Sequence, residues 1–374
     1  MTESRRELSV TDIRGVPNTT MAVRVFEHGG PETLVYGEYE LDDLGPRDVL
    51  VKVLVASVSG WDIKYRAGLP RVYALPGRSP FPLPQQLGRE AAGTVAAVGQ
   101  EVSQFKIGDR VMAVTHPENP YSRETARGLG NLSTGIAIPG HQAPGSYAQY
   151  VVRDQTLWLP VPEGVELEQA ALTLWPFSTA HRVVADRLGV RLGDTVIVAG
   201  ASGGMGLATV ALARLMGART IAVTRSATKA AALRDTYVDE VVVVSDHEAA
   251  SAELLELTDG YGAEHAVDYT GDPDVLRLLV GGLALGGRLL VAAGEQASQS
   301  LPIGIRQFVS LELTVLGIRG ARANDTRVAR DLLAAGRIHT PVAAKFALRE
   351  IAQAHVWFEE NRDVIGRIVL DPWA

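Results

Sequence analysis

In VIVAGASGGMGLATVALARLMGA, Val196 to Ala218, the residues Gly200, Gly203 and Gly206 stand three apart between an apolar run and a helical pattern. Such a turn lets backbone approach a pyrophosphate closely. The helix N-terminus behind it offers free N–H groups and the positive end of a dipole. A glycine pattern alone is weak, but here a strand precedes it, a helix follows it, and a second strand arrives on schedule. Ser202, Gly204 and Met205 lie inside the same turn and join the candidate cofactor contacts. At the end of the second strand an acid would accept hydrogen bonds from the adenosine ribose and indicate NAD. This chain has Thr224, Arg225 and Ser226 there, with Lys229 one turn on. That set suits a 2′-phosphate, so NADPH is the expected cofactor. A second chemistry-bearing residue is Arg89, a permanent cation beside Glu90 in the small-residue stretch LGREAAGTVAAVG, Leu87 to Gly99.

The elements that must position these residues fall into two styles. The 374-residue length suggests two domains, and 46 % hydrophobic with 21 % charged residues is ordinary for a globular protein. Residues 1–20 are polar and weakly patterned and read as an arm. From Met21 short strands dominate, such as DVLVKVLVASVS and DRVMAVT, each bounded by Gly, Pro or Asp. Residues 117–144 form a long, Gly- and Pro-rich connection flanked by His116 and His141, which read as turn or surface residues. After Glu166 the text becomes helical, with an interruption expected at Trp175-Pro176. Strands then alternate with helices: TVIVAG, TIAVT, EVVVVS, HAVDYTG, RLLVAAG and LTVLGIRG. Alternation of this kind implies an α/β fold with a parallel, doubly wound sheet.

Several function classes are excluded or disfavoured. A net charge of −7 with no dense basic run leaves no footprint for nucleic acid. With no cysteine, thiolate metal sites, disulfides and cysteine nucleophiles are impossible. MTESRRELSVTDIRG has no apolar core of a secretory signal, and no unbroken apolar run reaches the ~18 residues of a membrane span. A cytoplasmic protein acting on a small molecule is expected.

Taken in order, LGREAAGTVAAVG, KIGDRV, GSYAQY, FSTAHRV, the glycine turn and GRIVL resemble the landmarks of the medium-chain dehydrogenase/reductase superfamily, from about Met21 to Leu370. The resemblance implies a GroES-like β-rich catalytic domain over 21–172 and 319–374. It implies a Rossmann domain over 173–318, with the active site between them. It also implies cofactor contacts at Thr179, Gly294, Gly317 and Arg367, the last at the pyrophosphate. Zinc members carry His where this chain has Arg89, and Cys where it has Ser59 and Trp175; none of the three replacements is a serviceable ligand. Asp62, Arg66 and Gly68 in SGWDIKYRAG also match the spacing of zinc-free quinone reductases. No metal is therefore expected.

In that frame Arg89 has two roles open to it. It pairs structurally with Asp62, the reading favoured here, or it polarises a substrate oxygen. Lys64 and Tyr65 lie where the resemblance puts proton-relay or substrate-contacting groups. Ser59, Trp61, Thr115 and Trp175 are the expected pocket residues, and Phe177 adds an apolar wall. The expected activity is zinc-independent, NADPH-dependent reduction of a quinone, enone or aldehyde. Two alternatives remain: a zinc-free NADP-dependent alcohol dehydrogenase with Lys64 as base, and a catalytically silent NADPH-sensing protein. The apolar segment ELTVLGIRG, Glu312 to Gly320, matches a family edge strand that pairs with its twin, so a homodimer or dimer of dimers is expected.

Overall fold

The computed structural model describes residues 17–68, 81–236, 238–293, 301–361 and 364–374. Most of the expected arm, and Gly294, lie outside the described residues. The fold is α/β, with a β-rich GroES-like unit and a parallel Rossmann sheet.

The strand Asp48–Val58 organises the β-rich unit. Its residues DVLVKVLVASV are buried on both faces over most of their length, as a strand covered on both sides requires. It pairs antiparallel with Ala91–Val98 along one edge. Along the other it takes Tyr150–Asp154 and then Arg367–Asp371 in succession. The sheet continues through Arg110–Ala113 to Trp158–Pro160 on one side and ends at Val342–Ala347 on the other. Chain from both ends of the sequence thus shares one sheet. A small antiparallel sheet of Leu34–Glu40, Thr19–Val25 and Gln85–Gln86 stands beside it. Leu34–Glu40 and Val342–Ala347 were not evident in the sequence.

The second unit is a six-stranded parallel sheet. Its order is Glu240–Val243, Arg219–Thr224, Thr195–Ala199, Ala263–Asp268, Leu283–Val291 and Thr314–Gly317. The strand order reverses between Thr195–Ala199 and Ala263–Asp268. A crevice opens at such a switch point, at the carboxyl ends of the strands. The glycine turn leaves Thr195–Ala199 at that point.

The expected break at Trp175-Pro176 does not occur. Leu167–His181 is one helix with Pro176 inside it, and it runs on as a π-helical stretch, Arg182–Leu188. Proline has no N–H to give the carbonyl four residues back. That carbonyl, Leu172 O, receives Nη1 of Arg367 instead, at 3.4 Å. A side chain from the distant C-terminal strand thereby substitutes for the missing helical bond.

His355, in the helix Ile351–Glu360, is fully buried, and its Nδ1 accepts from Nη1 of Arg66 at 3.2 Å. Burial first, and the Arg66 charge second, push its imidazole down to about 3. A depressed histidine contributes stability that is complete above its unfolded value near 6.5 and is lost as pH falls toward 3. Chemical denaturation across that window should therefore show wild type losing about 1.4 kcal/mol per pH unit more than His355→Leu. Parallel slopes for the two proteins would contradict the neutral, buried imidazole.

Candidate active site

The glycine turn meets the requirements for a pyrophosphate. Gly200 has φ +78°, a left-handed conformation. At Gly206 a Cβ would stand 2.2 Å from Gly200 O, so helix and strand could not pack as they do. The helix Gly204–Leu215 begins at Gly203 with no side chain capping its first turn. The next three helices of the sheet are all capped: Ser226 accepts from Lys229 N, Asp246 from Ala249 N, and Asp272 from Asp274 N and Val275 N. The first helix alone among these leaves its N–H groups for a ligand, and an anion completes it. Ser202 and Met205 lie in the same turn. Gly317, at the end of the edge strand, has open space where a Cβ would stand.

At the end of Arg219–Thr224 the expected 2′-phosphate group is partly committed elsewhere. Thr224 Oγ1 accepts from Ser226 N at 3.2 Å, and Ser226 Oγ caps its helix. Arg225, largely exposed, gives Nη1 to Asp272 Oδ2 at 2.9 Å. No acid stands at the strand end itself, but Asp272 holds the nearest cation.

The candidate catalytic cluster grows from two turns. Ser59 caps the short helix Gly60–Arg66, and Asp62 closes the capping box: its Oδ2 accepts from Ser59 N at 2.9 Å and Ser59 Oγ at 2.6 Å. Asp62 Oδ1 accepts from Gly88 N at 3.1 Å. Gly88 has φ +93°, and a Cβ there would stand 2.5 Å from the Tyr147 ring, so only glycine presents its N–H this way. Burial raises the Asp62 carboxyl above its usual range, against the opposing pull of the Ser59 and Gly88 hydrogen bonds. Burial and the Asp62 and Glu90 carboxylates hold the Tyr147 phenol well above 10.

The favoured Asp62–Arg89 pair is not a direct contact. Asp62 accepts from three donors, and the hydrogen bond of Arg89 goes elsewhere. Its Nη2 donates to Thr115 O, and its guanidinium lies over Trp175, 4.2 Å from the ring centroid. Burial lowers the pKa of its guanidinium, and the nearby Tyr65 phenol and the Asp62 and Glu90 carboxylates oppose that shift. Tyr65 in turn stacks on His141 at 4.4 Å between centroids, with its hydroxyl 3.3 Å from His141 Nδ1. Trp61 packs on the other side of Tyr65, 5.5 Å away, and Lys64 Nζ lies 4.8 Å from the Trp61 centroid.

His116 links this cluster to the cofactor side. Its Nδ1 is 3.2 Å from Thr115 Oγ1 and its Nε2 is 3.4 Å from Thr179 Oγ1. Burial and the Arg89 charge hold its imidazole well below the ordinary value, so it is neutral at physiological pH. His141 stands in a turn and His116 in a bend, and each is partly buried with a side-chain partner of its own. The sequence signal that points to His116 is its adjacency to Thr115, just after the strand Arg110–Ala113. His141 carried no such signal.

Arg367 stands against the glycine turn: a Cβ on Gly204 would lie 3.6 Å from its Nε and 3.7 Å from its Nη1. It forms a two-pronged, buried ion pair with Glu90 and gives a further bond to Ser57 Oγ at 2.9 Å. Its stem supports the turn from beneath: a Cβ on Gly204 would stand 2.8 Å from Arg367 Cδ. Burial, opposed by Arg367, pushes Glu90 up to about 7.

Zinc does not fit this arrangement. Arg89 fills its place with a cation, the Ser59 hydroxyl is spent on Asp62, and Trp175 lies under the guanidinium. Among the described residues no group of three or more His, Cys, Asp or Glu is placed to hold a metal ion.

A Rossmann sheet with an uncapped glycine turn, set against a GroES-like unit, defines a nicotinamide-dependent oxidoreductase fold. The Alcohol dehydrogenase GroES-like domain family matches residues 45–163, and the Zinc-binding dehydrogenase family matches 204–335. The quinone oxidoreductase of Pseudomonas aeruginosa is 30 % identical over 92 % of this chain and 97 % of its own. The 2-haloacrylate reductase of a Burkholderia species is 27 % identical over 95 % of this chain and 99 % of its own. A crystal structure of an NAD-dependent alcohol dehydrogenase superposes with TM-score 0.84 at 31 % identity, covering 94 % of this chain and 99 % of that one. The chain belongs to the medium-chain dehydrogenase/reductase superfamily and is an oxidoreductase.

Because Asp62 has three donors of its own, removing Arg89 should not strand it. Asp62→Asn places an amide NH₂ against N–H or O–H donors and should cost on the order of 1–3 kcal/mol. In a double-mutant cycle with Arg89→Met the coupling should stay below about 1 kcal/mol. A coupling near 3 kcal/mol would restore the direct ion pair.

Proposed function

We propose that the protein is a zinc-independent, NADPH-dependent reductase of an activated C=C or carbonyl group. The observation that carries this reading is the position of Arg89: a buried guanidinium on Trp175, near Tyr65 and, through Thr115 and His116, adjoining Thr179. The names of relatives that reduce a quinone and a haloacrylate support the same class.

Bound NADPH supplies a hydride from C4 of its nicotinamide ring. The residues do the rest. The N–H groups at Gly204–Gly206 hold the pyrophosphate, and Arg225 and Lys229 hold the 2′-phosphate. Arg89 orients the substrate oxygen and stabilises the negative charge that grows on it. Tyr65 holds the proton at its hydroxyl, and His141 Nδ1 exchanges with it. Hydride plus this proton make the two-electron reduction balance. Trp61, Trp175 and Phe177 exclude water. The phenol–imidazole pair beside Arg89 favours an enzyme over a nucleotide sensor, which has no use for a proton donor.

The cofactor assignment and the reaction are tested together by NADPH and NADH consumption with quinones, enones and aldehydes. NADPH should be preferred, Arg225→Asp should cost about 1.5–3 kcal/mol of that preference, and Asp272→Asn should increase it by releasing Arg225. Tyr65→Phe should lower kcat by roughly 10²-fold or more, and a chelator should change nothing. Equal use of both cofactors would sink the NADPH assignment, and no consumption with any acceptor would sink the reductase.

We also propose a cytoplasmic homodimer or dimer of dimers, built on the edge strand Thr314–Gly317. Beside it the helix Ile305–Ser310 buries none of its residues and exposes Ile305 (85 %), Val309 and Phe308. Among the described residues no helix is long and apolar enough to cross a membrane. Light scattering should give at least twice the chain mass, and Ile305→Asp with Val309→Asp should reduce it. A monomeric wild type at micromolar concentration would contradict the assembly.

A further inference from the structure

We infer that Tyr269 and Thr209 are positioning residues for the dinucleotide: together they aim and strengthen the Gly206 N–H that faces the pyrophosphate. The inference rests on the preceding reading that the glycine turn holds the pyrophosphate. It deepens that reading by naming two side chains that touch no ligand and act through the Met205–Gly206 peptide.

A chain of hydrogen bonds runs into the back of the turn. Thr209, in the helix Gly204–Leu215, is fully buried, and its Oγ1 donates to Met205 O at 2.9 Å. The Tyr269 hydroxyl lies 2.6 Å from the same Oγ1. A threonine hydroxyl has a single hydrogen, and Met205 O takes it, so the tyrosine O–H donates to Thr209. Burial raises the Tyr269 phenol above its ordinary value, so that proton is in place. Tyr269 follows the strand Ala263–Asp268, whose neighbour across the switch point is Thr195–Ala199. Its N–H donates to Ala199 O at 3.2 Å, and a Cβ on Gly200 would stand 3.1 Å from the Tyr269 Cβ. The chain thus ties one lip of the crevice to the first turn of the helix on the other.

The Met205 carbonyl and the Gly206 N–H belong to one planar peptide, so holding the oxygen aims the hydrogen. A donor that reaches the carbonyl also polarises the N–H at the other side of the same peptide, and bonds in series reinforce one another. Gly206 is where such a gain counts. The first intrahelical bond runs from Leu207 N to Gly203 O, so the Gly206 N–H lies ahead of the ladder and has no backbone acceptor among the described residues. A threonine bonded back to the carbonyl four residues earlier is by itself commonplace in helices. The second hydroxyl, brought from the loop after another strand, is what sets this one apart. Phenylalanine would fill the same space as Tyr269, so the oxygen is what separates a positioning role from packing.

Binding calorimetry on the full-length protein tests this without turnover. NADP⁺, NAD⁺ and ADP-ribose share the pyrophosphate and differ at their two ends. Tyr269→Phe should weaken all three by the same factor, about three- to tenfold, the value of one hydrogen bond. Arg225→Asp, by contrast, should act on NADP⁺ alone. Thr209→Val should lose at least as much as Tyr269→Phe, and Thr209→Ser, which keeps the hydroxyl, should bind close to wild type. Adding Tyr269→Phe to Thr209→Val should cost nothing further, because the tyrosine acts through that hydroxyl. Thermal melts of the free variants report folding separately. Should Tyr269→Phe fail to fold, Thr209→Val against Thr209→Ser carries the same test. A variant set that is destabilised yet binds all three ligands like wild type shows packing only and overturns the inference. Loss confined to NADP⁺, or full additivity in the double variant, overturns it as well. If wild type binds none of the three, the pyrophosphate reading fails and the inference with it. If wild type binds them and the variants match it, the inference fails alone.

Discussion

The Glu90–Arg367 ion pair is the contact on which both halves of the site depend. It joins residues 277 apart in the chain, and both side chains are buried. A buried pair gains little over a well-packed apolar contact, but breaking it by removing one partner costs about 3–5 kcal/mol. The pair therefore acts as a specification of geometry more than as a source of stability. One arm of Arg367 reaches Ser57 on the central strand of the β-rich sheet, and another reaches the Leu172 carbonyl that Pro176 leaves without a donor. Its stem lies under Gly204, the first residue of the uncapped helix. Moving this one side chain would disturb the segment carrying Arg89, the helix carrying Trp175 and Thr179, and the glycine turn.

That arrangement explains how a cation can stand beside Glu90 without neutralising it. Glu90 meets Arg367 while Arg89, the adjacent residue, turns to Thr115 and Trp175; both lie in the link between the strands Gln85–Gln86 and Ala91–Val98. Asp62 is likewise withdrawn, because the capping box and Gly88 N–H consume its lone pairs. Two acids lie close to Arg89 and neither meets it. The difference from a zinc site is physical. A metal accepts a lone pair and polarises it, whereas a guanidinium only donates hydrogen bonds and presents a fixed charge. Chemistry in which an oxygen must be deprotonated on a metal is unsuited to this site. Chemistry in which charge grows on an oxygen is suited to it.

Much of the fold was legible in the sequence because its signals are local. The glycine spacing, the strand before it, the helix after it and the later alternation all follow from neighbours within a few residues of one another. The short strand Leu34–Glu40 and the closing strand Val342–Ala347 were not legible, since neither has a strong pattern and each exists through its partner strand. The helix through Pro176 was misread for a related reason. Proline breaks a helix when the freed carbonyl has no other donor, and the donor here comes from Arg367. The site divides the same way. Residues sharing a turn, such as Gly200 to Gly206 or Ser59 to Asp62, were found together. His116, His141 and Glu90 act through partners 60 or more residues away, which spacing cannot reveal.

The cofactor end shows how a local signal can be correct in type yet incomplete in context. Thr224, Arg225 and Ser226 hold no acid, and that much follows from the sequence alone. What the strand order adds is Asp272, delivered from the far side of the switch point by the loop after Ala263–Asp268. Its Oδ1 caps a helix while its Oδ2 holds Arg225, so one carboxylate both completes the fold and competes for the cation that a 2′-phosphate needs. Arg225 is mostly exposed, so this competition is between two solvated partners, and each bond is weak enough to exchange. A phosphate brings about two negative charges against the single charge of Asp272. On the proposed NADPH assignment, a 2′-phosphate and Asp272 would compete for the same guanidinium.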